Sequence, residues 1–312
     1  MVVTTELAVR PEVTPAGGRR SPRRRSRKLG TNLTAYALLA GGVLCFALFS
    51  WYPTIRAFLL AFQHTNFVRA SHWVGWGNFR RLFGDPEFGA AWRNSFEFSG
   101  VALVLGFGVP FVLAVVLNEL RHAKTLFRLL VYLPVMIPPV VVALLWKWFY
   151  DPGNGLFNEA LKAVHLPTSS WTNSTSTAIV SLVLVATWAN LGGTTLIYLA
   201  ALQNIPAELY EAAELDGANI LQRVRHVTIP QTRYVMLMLL LLQIVATMQE
   251  FTTPFIITGG GPQDATVTVL YLIYKYAFVY RDYGAGCALS VMLFIFLGIF
   301  SAIYLRLTRN TD

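Results

Sequence analysis

Six long stretches free of Asp, Glu, Lys and Arg constrain this chain more than any motif: residues 29–55, 98–118, 129–146, 163–207, 234–249 and 283–305. A helix needs about 20 predominantly apolar residues to cross the hydrocarbon of a bilayer, and these runs supply them. The fifth run is interrupted by Glu250, after which the apolar character resumes. In lipid every backbone N–H and C=O must find an internal partner, so spans of this kind are expected to be α-helices. The expectation is an all-α membrane protein with six transmembrane helices near 33–55, 95–117, 128–149, 177–201, 234–257 and 285–306. Composition agrees: 55% of the 312 residues are hydrophobic and 13% are charged. A soluble domain carries about 25% charge, and this chain has too little to cover its apolar surface.

Lys and Arg in short loops set orientation. With both termini in the cytoplasm, the inner segments hold the basic stretch 19–28, then Arg121, Lys124, Arg128, Arg223, Arg225, Arg233, Arg306 and Arg309. The outer loops keep fewer: Arg69, Arg80, Arg81, Arg93, Lys162, Lys275 and Arg281. Residues 1–28 are expected to be a disordered basic cytoplasmic segment, and 29–312 the transmembrane domain. The first span begins too far in, and is too long, for a cleaved signal peptide. Because the basic stretch directly precedes a span, anionic lipid is its expected partner and nucleic acid is not.

Cys45 and Cys287 both fall within spans and are read as small packing residues. The five histidines are scattered without metal-ligand spacing, and none of the five lysines closes a phosphate-cradling GxxxxGK loop. No metal site, catalytic residue or cofactor is expected on this chain, so any ATP hydrolysis would belong to a partner.

The most patterned segment is 205–230, IPAELYEAAELDGANILQRVRHVTIP, on the inner side between the fourth and fifth spans. Pro206 and Glu208 suit a helix start. Leu209, Ala212, Ala213 and Leu215 form an apolar side, and Glu211, Glu214 and Asp216 a polar one. Gly217 permits a sharp turn. A second short helix is expected to run to Val227, with Pro230 opening the fifth span. Two forms fit: a helix-turn-helix knob, or an amphipathic hairpin lying flat on lipid.

The run EAAELDGA followed by IP at 229–230 resembles the EAA signature of permease subunits in binding-protein-dependent ABC importers. Glu211, Ala212, Ala213, Asp216, Gly217, Ala218 and Pro230 carry the match. Departures are Val224, where the family usually has Phe, and Tyr234, where Pro is common. Further likeness to carbohydrate permeases of the maltose and glycerol-3-phosphate type lies in Tyr52-Pro53, VGWGNF (74–79), LPVMIPPVVVALLWKWFYDPGNGLFN (133–158) and TGGGPQDATVTVLYLIYKYAF (258–278). The resemblance implies a type I ABC importer permease in a bacterial-type plasma membrane, with the EAA loop coupling it to the ATPase. It also implies a sister permease, two ATP-binding subunits using ATP and Mg, and an extracytoplasmic solute-binding protein. The rival is a self-sufficient secondary transporter or channel, but the halves show no internal repeat.

Polar side chains inside a span usually face a pathway or a partner helix. Gln243, Thr247 and Glu250 fall at i, i+4 and i+7 of the fifth span, one helical face. Their amide, hydroxyl and carboxylate suit sugar hydroxyls. The resemblance aligns these three positions with sugar-contacting ones, though residue types differ. In the fourth span Asn190 occupies a comparable place, with Trp188 as a stacking surface. The alternative for the same residues is hydrogen bonding between helices.

Overall fold

The computed structural model describes residues 24–66, 70–120 and 122–309. Residues 1–23, 67–69, Arg121 and the last three residues lie outside them, and with them most of the segment expected to be disordered; its last residues are helical, because α1 (Arg24–Phe46) already begins there. The chain divides into two compact units at Ile55/Arg56. In the first, α1 continues through a π turn (Ala47–Trp51) into α2 (Tyr52–Leu60), within which the boundary falls.

In the second unit a minimal hairpin, β1 (Gln63–His64) with β2 (His72–Trp73), is the one strand pairing among the described residues. It leads to α3 (Gly77–Phe83) and α4 (Pro86–Glu119). Asp85 caps α4 by accepting from the Glu87 N–H at 2.9 Å, and Pro86 occupies the first turn, where its missing N–H costs nothing. The 34 residues of α4 measure about 51 Å, more than the hydrocarbon thickness.

Five helices among the described residues are long and apolar enough to cross a membrane, and a bent pair makes a sixth. That pair corrects the expected straight third span. Here α5 (Lys124–Tyr132) passes through a 3-10 turn (Leu133–Met136) and then bends by 96° into α6 (Pro139–Phe149). Pro134, Pro138 and Pro139 supply the reason. Each lacks an N–H, and the residue before a proline is pushed from helical towards extended backbone. Ile137 and Pro138 accordingly take ψ 130 and 135.

After α7 (Leu156–Ala163) comes α8 (Ala178–Gln203), which packs along α4 in the most extensive helix pair of the molecule. Phe111 meets Tyr198 there edge-on at 5.4 Å. Next come α9 (Ala207–Leu215) and α10 (Ile220–Arg223), then a π turn (Val224–Thr228) that runs without a break into α11 (Ile229–Met248). The fifth span therefore covers Ile220–Met248, beginning and ending earlier than the expected 234–257. Pro230 does not open it. The π turn sits where its ring would otherwise meet the His226 carbonyl, and Ile229 donates instead to the Val224 carbonyl.

A further π turn (Pro254–Thr258), the short helix α12 (Val269–Tyr274) and the last span, α13 (Tyr283–Arg309), complete the chain. Cys287 packs half-buried against the core between α12 and α13, as expected, whereas Cys45 is exposed. Leu272, Ala288 and Leu289 are fully enclosed there, while Val104, Phe294 and Ile299 face outward, as lipid- or partner-facing side chains must.

Candidate functional site

Asn118 and Glu119, at the end of α4, lie beside Tyr210 and Ile220 around a small cleft, so α4 finishes where α9 and α10 begin. This is the knob end of the second unit. Tyr210 Oη and Thr228 Oγ1 hydrogen-bond at 3.0 Å and tie α9 to the foot of α11. Glu214 and Arg223 pair across the turn.

The turn itself follows from local chemistry. Gly217 has φ +77, a left-handed conformation costly to any residue with a Cβ, and Ala218 N–H donates back to the Ala213 carbonyl at 2.9 Å. Asn219 then caps α10 in a reciprocal box: its side chain accepts from Gln222 N–H, and the Gln222 side chain accepts from Asn219 N–H. Ala212, Ala213, Asp216, Gly217 and Ala218 line a shallow concavity of about 460 Å³. Glu211 is exposed on the same helix, and Pro230 is exposed at the base of the span. Leu215, expected on the apolar side, is instead 90% exposed at the tip, and Leu221 is 76% exposed.

From that knob one helix runs about 43 Å to Met248. At its far end Gln243, Thr247 and Glu250 line a cavity of about 350 Å³ together with Asn190 of α8. All four polar residues expected on a pathway are thus brought to one wall. Glu250 is not on the helical face read from its spacing. The helix stops at Met248, and Glu250 caps the following turn, its Oε1 accepting from Thr253 N–H at 2.9 Å and Thr253 Oγ1 at 3.1 Å. Its backbone carbonyl accepts from Thr268 Oγ1 at 2.7 Å.

Two of the four also hold helices together, as the alternative reading expected. Gln243 Nε2 donates to the Ala102 carbonyl at 3.3 Å, and Thr247 Oγ1 bonds Ser99 Oγ at 2.7 Å. Gly106 makes the first contact possible, because a Cβ there would stand 2.4 Å from Gln243 Nε2. Trp188 lies against Trp146, ring centres 5.6 Å apart, and lines neither this cavity nor its neighbour.

Sequence reasoning missed Thr187 and Thr194, which line the same wall from α8. Thr187 Oγ1 is buried without a hydrogen-bond partner. The signal was present, since 187, 190 and 194 share one helical face. Polarity there is diluted by the apolar residues between them, so hydropathy alone does not mark it. No cluster of three metal-ligating side chains occurs among the described residues.

Beyond Glu250 the far end is tied shut. Lys275 Nζ pairs with Glu87 at 2.7 Å and Asp264 at 3.6 Å, and Arg81 pairs with Asp282 at 2.7 Å. Tyr276 bonds Asp85. Asn94 donates to the carbonyls of Asp264 and Val267, closing the Gly-rich loop 259–263 onto α4.

Five apolar helices long enough to cross a membrane with a bent pair as a sixth, a polar wall at one end of a long helix and a capped knob at the other mark a multi-pass membrane component. The chain belongs to the family of binding-protein-dependent transport system inner membrane components, whose model matches residues 106–312 and so includes the whole knob. It is 34% identical to the probable ABC transporter permease protein YurN of Bacillus subtilis (strain 168), over 81% of this chain and 88% of that one. It is 30% identical to the trehalose/maltose transport system permease protein MalF of Thermococcus litoralis, over 82% and 87%. With the sn-glycerol-3-phosphate transport system permease protein UgpA of Yersinia pestis bv. Antiqua (strain Antiqua) it shares 33%, over 83% and 88%.

Among solved structures, a chain of a bacterial alginate ABC transporter in complex with an alginate pentasaccharide-bound periplasmic protein superposes with a TM-score of 0.81 at 23% identity, over 93% of this chain and 98% of that one. The fold is that of a type I ABC importer permease, and this chain is a permease subunit of an ABC importer. The self-sufficient transporter and channel readings fall with that assignment.

Proposed function

We propose that this permease forms half of the solute pathway of an importer for sugars, oligosaccharides or related polyols and glycerol phosphates. A sister permease completes the pathway, two ATP-binding subunits using ATP and Mg dock on the knobs of the two permeases, and an extracytoplasmic binding protein delivers the solute. Both termini face the cytoplasm. The observation that carries this reading is the single helix from Ile220 to Met248, which joins the knob at Gly217 to the polar wall at Gln243, Thr247 and Glu250. A rigid helix transmits displacement, so a shift imposed on Glu211, Ala212, Ala213, Asp216, Gly217 and Ala218 moves the wall with them. The relatives' names, covering trehalose and maltose, arabino-oligosaccharides and glycerol 3-phosphate, support the solute class.

The test is ATP-dependent uptake by the complex purified from native membranes. Wild type takes up a carbohydrate, and Gly217→Val lowers that uptake at least about tenfold with unchanged insertion, because a β-branched residue at φ +77 breaks the turn. Uptake undiminished by Gly217→Val refutes the coupling role. Cysteines placed at Asn173 and Asn219 test orientation: an impermeant reagent added to intact cells labels the first and not the second, and the reverse pattern inverts the topology.

A further inference from the structure

The cavity holding Gln243 and Thr247 is continuous in its lining with a second, of about 240 Å³, which lies against the bend at Ile137 and Pro139. The two share Asn190 and Glu250. Neither is lined by Lys, Arg or His, and Glu250 is the one ionisable side chain on either wall. Lys147, the basic side chain of α6, is turned away to donate to the Ile256 carbonyl at 3.3 Å. The remaining polar groups, Thr187, Asn190, Thr194, Gln243 and Thr247 of the first cavity and Thr252 and Thr253 of the second, are neutral donors and acceptors.

We infer that this half of the pathway admits uncharged, hydroxyl-rich solutes and rejects anionic ones, with Glu250 as the specificity-determining residue. The inference rests on the carbohydrate reading and sharpens it, choosing neutral sugars and polyols over phosphate esters and sugar acids.

Two physical reasons carry it. An anion brought into a narrow, largely apolar cavity loses its hydration and needs a counter-charge or a dense set of donors to replace it. This wall offers no counter-charge. Its neutral groups instead match hydroxyls, which donate and accept at once, and Thr187 Oγ1 stands buried without a partner at the cavity. The second reason is Glu250 itself. Thr253 fixes one carboxylate oxygen with two hydrogen bonds, so the group is held at the junction of the two cavities rather than free to swing aside. A solute hydroxyl can donate to it, but when Glu250 is ionised a carboxylate or phosphate meets both an acceptor with no proton to share and a like charge.

The test is equilibrium binding of labelled probes to the complete permease–ATPase complex in lipid nanodiscs. The solute-binding protein is left out, so that the selection measured is the pathway's own. The probes are matched pairs: maltotriose against a maltotriose phosphate ester, and galactotriose against a galacturonic acid trimer. Wild type is expected to favour the neutral member of each pair by on the order of tenfold to a hundredfold. Glu250→Gln, which keeps the shape and removes the charge, should shrink that ratio several-fold. Asn190→Asp adds a second carboxylate on an exposed helix position and should widen it. Complex yield is recorded for each variant.

An anionic probe bound as tightly as its neutral counterpart by wild type overturns the inference and leaves the carbohydrate reading standing. A ratio unmoved by both Glu250→Gln and Asn190→Asp overturns the assignment to Glu250. Binding of no probe at all removes the carbohydrate reading, and the inference falls with it.

Discussion

At the far end of the bundle Asp85, Glu87, Asp264 and Asp282 are each matched to Lys275, Arg81 or Tyr276, and the side chain of Lys275 is only 17% exposed. At the knob end the polar groups are matched mainly by capping within the backbone, while Leu215, Ile220 and Leu221 stand in the open. Both ends are ordered, yet for different reasons. The far end is completed by its own side chains, so its order belongs to this chain alone. The knob holds its shape through Gly217 and the Asn219 box, but leaves apolar area uncovered, which is how a surface looks when another protein finishes it.

Three measurements can break or sharpen this contrast. The largest effect is expected at the knob tip. Leu215→Ser with Leu221→Ser should reduce ATPase co-purification by tenfold or more, because each leucine covered by a partner contributes about 1.5–3 kcal/mol. The melting temperature of the permease alone should hardly move, since both side chains are exposed in it. Loss of stability without loss of association would show that the tip belongs to this chain's own core.

Next in size is Lys275→Met at the far end. It removes the cation facing Glu87 and Asp264, leaving the part-buried Glu87 carboxylate only the Tyr280 hydroxyl, and should cost about 1–3 kcal/mol of stability, read as a lowered melting temperature with ATPase association intact. Burial alone would lower the Lys275 pKa. Hydrogen bonds to Glu87 and Tyr280, with the charges of Glu87 and Asp264, outweigh it and hold the group above its ordinary range. A raised lysine stabilises fully below its unfolded value of about 10.4 and loses that contribution only as pH climbs through the folded value. The clamp should therefore be insensitive between about pH 6 and 9; a melting temperature that falls across that window through this residue would contradict the pairing.

The smallest effect is expected for Glu214→Gln. Its pair with Arg223 is mostly solvent-exposed on the glutamate side, and such pairs contribute about 0–1 kcal/mol. Uptake and stability should both stay near wild type. A large loss of uptake would mean that the knob is held by this ion pair rather than by Gly217 and the Asn219 box.

The spans and the knob were legible in the sequence because both are local. Hydropathy over about twenty residues decides a crossing helix, and a glycine at a required positive φ decides a turn. The course of the third span was not legible as one segment: its apolar run looks continuous from 129 to 146, whereas Pro134, Pro138 and Pro139 divide it within the membrane-sized stretch. The same applies at the fifth span, where the apolar run hides the stop at Met248 and the fact that Glu250 caps the next turn.

By itself the sequence determined the class of molecule, the membrane-crossing segments and the place of the knob, since each follows from the chemistry of neighbouring residues. Only the tertiary structure decided which polar groups share a wall. Asn190 and Glu250 are sixty positions apart, and Thr187 is further still from the helix it faces; their meeting depends on how closely α4, α8 and α11 approach. That distance is set by residues such as Gly106, whose missing Cβ lets Gln243 reach the Ala102 carbonyl. No local pattern records it, because packing is a property of pairs of surfaces and not of one stretch of chain.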